Sequence, residues 1–261
     1  GEVLVVDYRN EALILDILNT CVNAYNIVGK KATLLRALDD LPGVSVSGDT
    51  DIESDGMLGW IAMDEREAKQ ALRQSEQMVA EILRNIAKRV IVFSTGAEVA
   101  DSQIEDTNMP AVMDRLISEG YKVSRGQTLK DDEVLIAAKL REAADNGGYG
   151  LIITTGGVGA EDKDRTVEAV KILDTGAATP YICHFEIGTG RHVKDGIKIA
   201  VGEYSDTMIV ALPGPNDEVK ASLSVLVDGL KARQNKHILA ETIAVSLREI
   251  LREKMSHNHK Y

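Results

Sequence analysis

The sequence predicts an α/β protein: a three-layer, doubly wound, mostly parallel sheet preceded by a smaller N-terminal α/β unit and a connecting helix. Three observations carry this expectation. From Val90 onward, short apolar runs at residues 90–93, 121–124, 151–154, 197–201 and 208–212 alternate with amphipathic helical stretches. Such alternation is the signature of a parallel sheet with helices on both faces. Three of the runs stop abruptly in loops of glycine, proline, hydroxyls and carboxylates, as strands do at the ligand-binding edge of such a sheet. Finally, 261 residues at 44% hydrophobic and 27% charged suit one large globular domain or two ordinary ones. With aromatics at only 4%, the core must be built of Leu, Ile, Val and Ala.

The N-terminal region, residues 1–63, reads as a small α/β unit. Residues 3–7 (Val-Leu-Val-Val-Asp) suggest a buried strand, and residues 11–23 a helix, with Leu13, Ile17 and Leu18 at helical spacing. Residues 33–41 suggest a short helix stopped by Pro42-Gly43, and residues 44–47 and 57–63 two further strands around an acidic loop. Residues 64–89 form a long helical pattern. Asp64 stands at its N-cap, Glu65 and Glu67 in its first turn, and Lys88-Arg89 at its end, a charge order that suits the helix dipole.

Residues 90–235 carry the α/β alternation. Helices are expected at 108–119, ending at Gly120, at 132–144, capped by Asp131 or Asp132, at 166–173 and at 217–230. Residues 236–261 hold a last amphipathic helix, 237–255, with Ile243, Leu247, Ile250 and Leu251 on one face, followed by a disordered tail.

Charge and cysteine content narrow the function. A net charge of −11 argues against non-specific binding to nucleic acid or anionic membranes, which needs a basic face. No apolar run reaches the length of a membrane span and no signal peptide leads the chain, so a reducing cytoplasm is expected. Cys21 and Cys183 form no C-x-x-C pattern and read as small buried residues. Cys183-His184 is a weak candidate for a soft metal, and His192 lies in a glycine-rich segment, 188–196. Gly-x-Ser-x-Gly, His-Glu-x-x-His and the P-loop lysine are all absent.

The chemistry concentrates in the three loops. The run Leu151-Ile152-Ile153 ends at Thr154-Thr155-Gly156-Gly157, with Gly159 next and Asp162 and Asp164 before a helix. Glycines there let backbone N–H groups approach an anion, and the two carboxylates offer a place for Mg²⁺. The plain alternative is a tight turn with an acidic helix start. The loop after Phe93 holds Ser94-Thr95-Gly96-Ala97-Glu98 and Asp106-Thr107-Asn108, and the loop after Leu212 holds Pro213-Gly214-Pro215-Asn216.

Together these motifs resemble the molybdopterin-binding domain family, which includes molybdopterin adenylyltransferases, molybdenum insertases and CinA-like proteins. Thr95-Gly96-x-Glu98 with Asp106-Thr107-Asn108 is similar to the insertase and CinA-like opening, and Thr155-Gly156-Gly157-x-Gly159 with Asp164-x-Thr166 to the signature loop. The stretch from Lys194 to Gly202 resembles insertases, whereas Leu212-Pro213-Gly214 followed by Glu218 is closer to CinA-like proteins. The chain departs from the pattern at Ala97, where Asp or Asn is usual, at Ser102 for a frequent Gly, at Asn216 for a frequent Pro, and at Lys163, where CinA-like proteins carry a second adjacent Asp. The first 90 residues resemble no family.

The resemblance implies a role in molybdenum cofactor biosynthesis, by Mg²⁺-dependent adenylyl transfer or metal insertion, with molybdopterin or a related nucleotide as ligand. Thr155, Gly156, Gly157 and Gly159 would cradle a phosphate. Asp164 and Asp162 would be the catalytic carboxylates and, with Glu98, would hold Mg²⁺. Thr95, Gly96, Asp106, Pro213 and Gly214 would complete the ligand site. A CinA-like pyrophosphatase acting on an ADP-ribose-type substrate, or a non-catalytic regulatory binder, are the alternatives. A homo-oligomer is expected, with the apolar stripes of residues 64–89 and 237–255 as candidate surfaces.

Overall fold

The computed structural model describes residues 3–54, 56–96, 106–188 and 193–258. The chain divides into two compact units, Gly1–Glu81 and Ile82–Tyr261.

In the first unit, strands β1 (Val3–Arg9) and β2 (Ala12–Ile17) pair antiparallel as a hairpin. Asn10 and Glu11 both take positive φ, 51° and 63°, the conformation of a tight hairpin turn that matches the twist of its strands. This corrects the helix expected over residues 11–23. Leu13, Leu15 and Ile17 also fit a period of two, and the turn settles the choice. β1 is a strand, as expected, but an exposed one: Val5 is 60% exposed and Tyr8 69%. Helices α1 (Ala24–Ile27) and α2 (Lys31–Asp39) follow. Residues 44–47 form no strand, and residues 57–63 are mostly a 3₁₀ helix, Gly56–Ala62, rather than extended. Two glycines in that run, Gly56 and Gly59, weaken any strand.

Helix α3 (Glu65–Ala87) begins where the sequence places it. Asp64 Oδ1 accepts from the amides of Arg66 and Glu67 at 3.0 and 2.9 Å.

The second unit is a three-layer α/β sandwich. Its sheet runs β4-β3-β5-β9-β8, from β3 (Arg89–Ser94), β4 (Lys122–Arg125), β5 (Leu151–Thr155), β8 (Ala200–Tyr204) and β9 (Thr207–Leu212). The first four strands in that order are parallel, and β8 pairs antiparallel with β9. One face buries Val90, Val92, Leu151, Ile153, Val210 and Leu212 against α4 (Asn108–Ser118), α7 (Asn216–Lys231) and α8 (Lys236–Asn258). The other buries Phe93, Ile152, Ile209 and Ala211 against α5 (Glu133–Gly147) and α6 (Thr166–Leu173). Burial on both faces explains why β5 is apolar at consecutive positions rather than alternating.

Four details differ from expectation. The run at 197–201 is two strands, β7 (Gly196–Lys198), which pairs with the unanticipated β6 (Tyr181–His184), and β8. The apolar stripe of α8 is not a free surface, since Ile243 and Leu247 lie in the core. That helix runs on to Asn258, so residues 256–258 are helical rather than a loose tail, and residues 259–261 lie outside the described ones. Cys21 is exposed and Cys183 only half-buried, so neither is the fully buried residue expected; partial burial pushes the Cys183 thiol up, away from reactivity. Among the described residues no helix is long and apolar enough to cross a membrane.

Candidate functional site

The sheet register builds the site. Ser94, Thr155 and Leu212 lie side by side at the ends of β3, β5 and β9, so the three loops start from one level. The helix after β3 packs on one face of the sheet and the helix after β5 on the other. Neighbouring chains that depart to opposite faces leave a crevice between them, the usual ligand position in a doubly wound sheet.

At the floor of the crevice the Thr95 amide donates to Thr155 O at 2.9 Å and Gly96 N–H to Leu129 O at 3.1 Å. Gly156 (φ +97°) donates to Leu212 O at 3.0 Å, which ties the signature loop to the end of β9. A side chain at either central glycine has no room: a Cβ on Gly156 would stand 2.6 Å from Thr95 O, and one on Gly157 (φ +64°) 2.3 Å from Thr166 Oγ1. A Cβ on Gly159 would stand 2.4 Å from Asp164 Oδ2. Val158 and Ala160 are buried and anchor the loop. The amides of Gly157, Val158, Gly159 and Ala160 donate to no other described residue. Consecutive unspent N–H groups on a glycine turn ahead of a helix form an anion-binding arrangement.

The two loop carboxylates do not converge. Asp164 turns back into its own loop, where Oδ2 accepts from Glu161 N at 2.8 Å, and Oδ1 has no partner among the described residues. Asp162 faces solvent, 81% exposed, and pairs with Arg165 at 2.6 Å. Lys194 buttresses the loop: its ammonium donates to Asp164 O and pairs with Glu168 at 2.8 Å, while the amides of Val193 and Lys194 donate to Ala160 O at 3.0 and 3.2 Å.

In the first loop Asp106 is spent on structure. Its Oδ1 accepts from the amides of Asn108 and Met109 at 3.1 and 3.0 Å, capping α4, and its Oδ2 accepts from the Ser94 hydroxyl. Thr95 and Thr155 are buried at 4% and 2% exposure, and the Thr95 hydroxyl is engaged within the loops rather than presented to a ligand. Glu98, Ala97, Ser102 and His192 lie outside the described residues. In the third loop Pro213 is buried and Gly214 exposed. Asn108 Nδ2 donates to Gly214 O at 2.6 Å, and Asn216 Nδ2 donates to Thr107 O and to Asn108 Oδ1, each at 3.0 Å. Asn216, where the family pattern often has proline, thus links the first and third loops. In the sequence Asn216 stood out only as a departure from the family pattern. Lys194 and Thr166 were visible only as members of motifs.

No group of three or more His, Cys, Asp or Glu comes together among the described residues, and His184 instead stacks on Tyr181 with ring centroids 4.0 Å apart. The described residues alone therefore offer no closed protein cage for a metal. Mg²⁺ held with phosphate uses one or two carboxylates and fills its remaining positions with water and phosphate oxygens, a mode that Asp164 with its open Oδ1 does fit.

The chain is similar to known proteins. Residues 91–232 match the family described as "Probable molybdopterin binding domain". The chain is 26% identical over 174 residues to a CinA-like protein of Fervidobacterium nodosum, covering 57% of this chain and 42% of that one. It is 38% identical over 85 residues to a CinA-like protein of Leptospira borgpetersenii, covering 31% and 20%. It spans less than half the length of these curated relatives. Solved structures with a similar arrangement include the molybdopterin biosynthesis enzyme MoaB of Thermus thermophilus (TM-score 0.44, 22% identity, 59% of this chain and 96% of that one) and the molybdopterin biosynthesis Mog protein of Mycobacterium ulcerans (0.46, 21%, 59% and 98%). The family match covers more than half of the sequence, and the chain belongs to the molybdopterin-binding domain family.

Proposed function

We propose that this protein binds molybdopterin or a nucleotide derivative of it in the crevice between β3 and β5 and acts in molybdenum cofactor biosynthesis, by Mg²⁺-dependent adenylyl transfer or metal insertion. The observation that carries the reading is the run of amides from Gly157 to Ala160, which donate to no described residue, on a turn whose glycines admit no side chain. Those amides would hold phosphate oxygens, and the exposed edge at Gly214 would flank the ligand. Asp164 would hold Mg²⁺ through Oδ1, and the ion would supply neutralisation of charge building on the phosphates. Asp162, exposed and paired with Arg165, would stand outside the ligand's centre. The buried Thr95 hydroxyl is bonded within the protein, and the route needs no covalent nucleophile.

Isothermal titration of the full chain with molybdopterin, ATP and ADP-ribose, with and without Mg²⁺, together with product analysis, tests the reading. Molybdopterin binding, with turnover abolished in Asp164→Ala at unchanged fold, is the expected result. Full activity in that variant would remove Asp164 from the mechanism. A second reading, Mg²⁺-dependent hydrolysis of a diphosphate, is favoured by the CinA-like relatives. Cleavage of ADP-ribose without pterin binding would establish it instead, and binding without turnover would make the protein a regulatory binder.

A further inference from the structure

Thr166 opens α6, is fully buried, and directs its polar atoms back into the glycine turn. Its amide donates to Gly157 O at 2.9 Å, and its hydroxyl donates to Gly156 O at 3.1 Å. The same hydroxyl lies 3.2 Å from the Thr95 hydroxyl, which lies 3.2 Å from Thr155 O. Two hydroxyl protons thus serve two carbonyls, Thr155 O and Gly156 O, and neither hydroxyl is left without a use.

The consequence lies in peptide geometry. A trans peptide is planar, and its C=O and N–H point in opposite directions. No cis peptide is present among the described residues. The carbonyl of Gly156 shares a plane with the amide of Gly157, and the carbonyl of Gly157 with the amide of Val158. Both carbonyls are drawn to Thr166, so both amides must point away from it. We infer that Thr166 is a positioning residue: by holding two carbonyls it aims the Gly157 and Val158 amides at the bound anion. The inference rests on the reading of the glycine turn given under Proposed function.

Two substitutions separate positioning from packing. Thr166→Val keeps the branched shape and the amide bond but removes the hydroxyl, leaving Gly156 O without that donor. Thr166→Ser keeps the hydroxyl and removes a methyl group. Both variants should melt somewhat below the wild type, the first through an unpaired carbonyl and the second through lost packing. Only Thr166→Val should lose affinity for molybdopterin and ATP in titrations of the full chain, by about tenfold, the scale of one well-placed hydrogen bond. In the ligand-free protein, the NMR order parameter of the Gly157 amide should fall in Thr166→Val and not in Thr166→Ser, because only the peptide held through Gly156 O is released. Wild-type affinity in Thr166→Val, or affinities that simply follow Tm in both variants, would overturn the inference, as would an unaltered Gly157 order parameter. A wild type that binds neither ligand, with the order-parameter effect intact, would count against the proposed function and leave the positioning role standing.

Discussion

A single added methyl group tests how tightly the signature loop is built. In Gly157→Ala the new Cβ would sit 2.3 Å from Thr166 Oγ1 and 2.9 Å from Thr95 Oγ1, at a backbone φ of +64°. Two costs add. An L-residue in the left-handed region costs about 1–2 kcal/mol, and forcing a methyl into a packed site costs about 1–3 kcal/mol. Neither hydroxyl can move away freely, because both threonines are buried and both hydroxyls are hydrogen-bonded. The expected loss is about 2–5 kcal/mol.

Two other glycines of the same unit calibrate that figure. Gly120 ends α4 at φ +80°, and its Cβ would meet only the flexible Lys88 ammonium at 3.8 Å, so Gly120→Ala should cost the backbone part alone, about 1–2 kcal/mol. Gly214 has no positive φ and nothing nearer than 3.9 Å, so Gly214→Ala should fall within about 0.5 kcal/mol of the wild type. Urea unfolding of the full chain, with midpoints compared at constant m, measures all three. A Gly157→Ala variant no less stable than Gly120→Ala would refute the close threonine packing described for this loop.

Two further perturbations probe the fold around the site. Burial is the largest influence on Asp174 and raises its pKa. The Lys236 ammonium 2.6 Å away and the amides of Glu203 and Gly176 together outweigh it, so the carboxyl is held below its ordinary value. A depressed carboxyl contributes fully above its unfolded pKa of about 4 and loses that contribution as pH falls through the folded value. Asp174→Asn should therefore cost about 1–3 kcal/mol near neutrality, with the gap to the wild type closing in acid; a gap that widens in acid would reverse the assignment. Ile243→Ala, in the fully buried face of α8, should cost about 2–5 kcal/mol in the same assay, whereas a loss under about 1 kcal/mol would mean that α8 is not part of the core.

The second unit was legible because its signals reinforce one another. Strands buried on both faces read as apolar runs, and helix ends carry their own chemistry: Asp132 caps α5 through the amides of Val134 and Leu135, and Gly120 ends α4 at positive φ. The N-terminal unit lacked such agreement. Leu13 and Ile17 satisfy a helical spacing as well as a strand one, and the deciding fact was the backbone of Asn10 and Glu11, where glycine is usual for such a turn. β6 was missed because Tyr181-Ile182-Cys183-His184 is short and mixed, and it gains its strand identity only from β7, contributed by a later stretch of the chain.

For the site, sequence revealed which residue types gather at the sheet edge and left open which way each one turns. Asp162 and Asp164 stand two apart and look equivalent as letters. Arg165 draws one outward and the Glu161 amide draws the other inward, so only Asp164 remains beside the loop with an oxygen to offer. Thr95 and Asp106 belong to the same motif as Glu98, yet the first is spent beneath the glycine turn and the second on capping α4. On the proposed reading, these residues form the foundation of a site whose ligand-facing surface is mainly backbone. Amides carry no sequence letter. What marks them is the set of residues that cannot be otherwise: glycines that leave no room for a Cβ, and the buried Thr166 that holds their carbonyls. On the proposed reading, the threonines beneath the loop mark the site better than the charges above it.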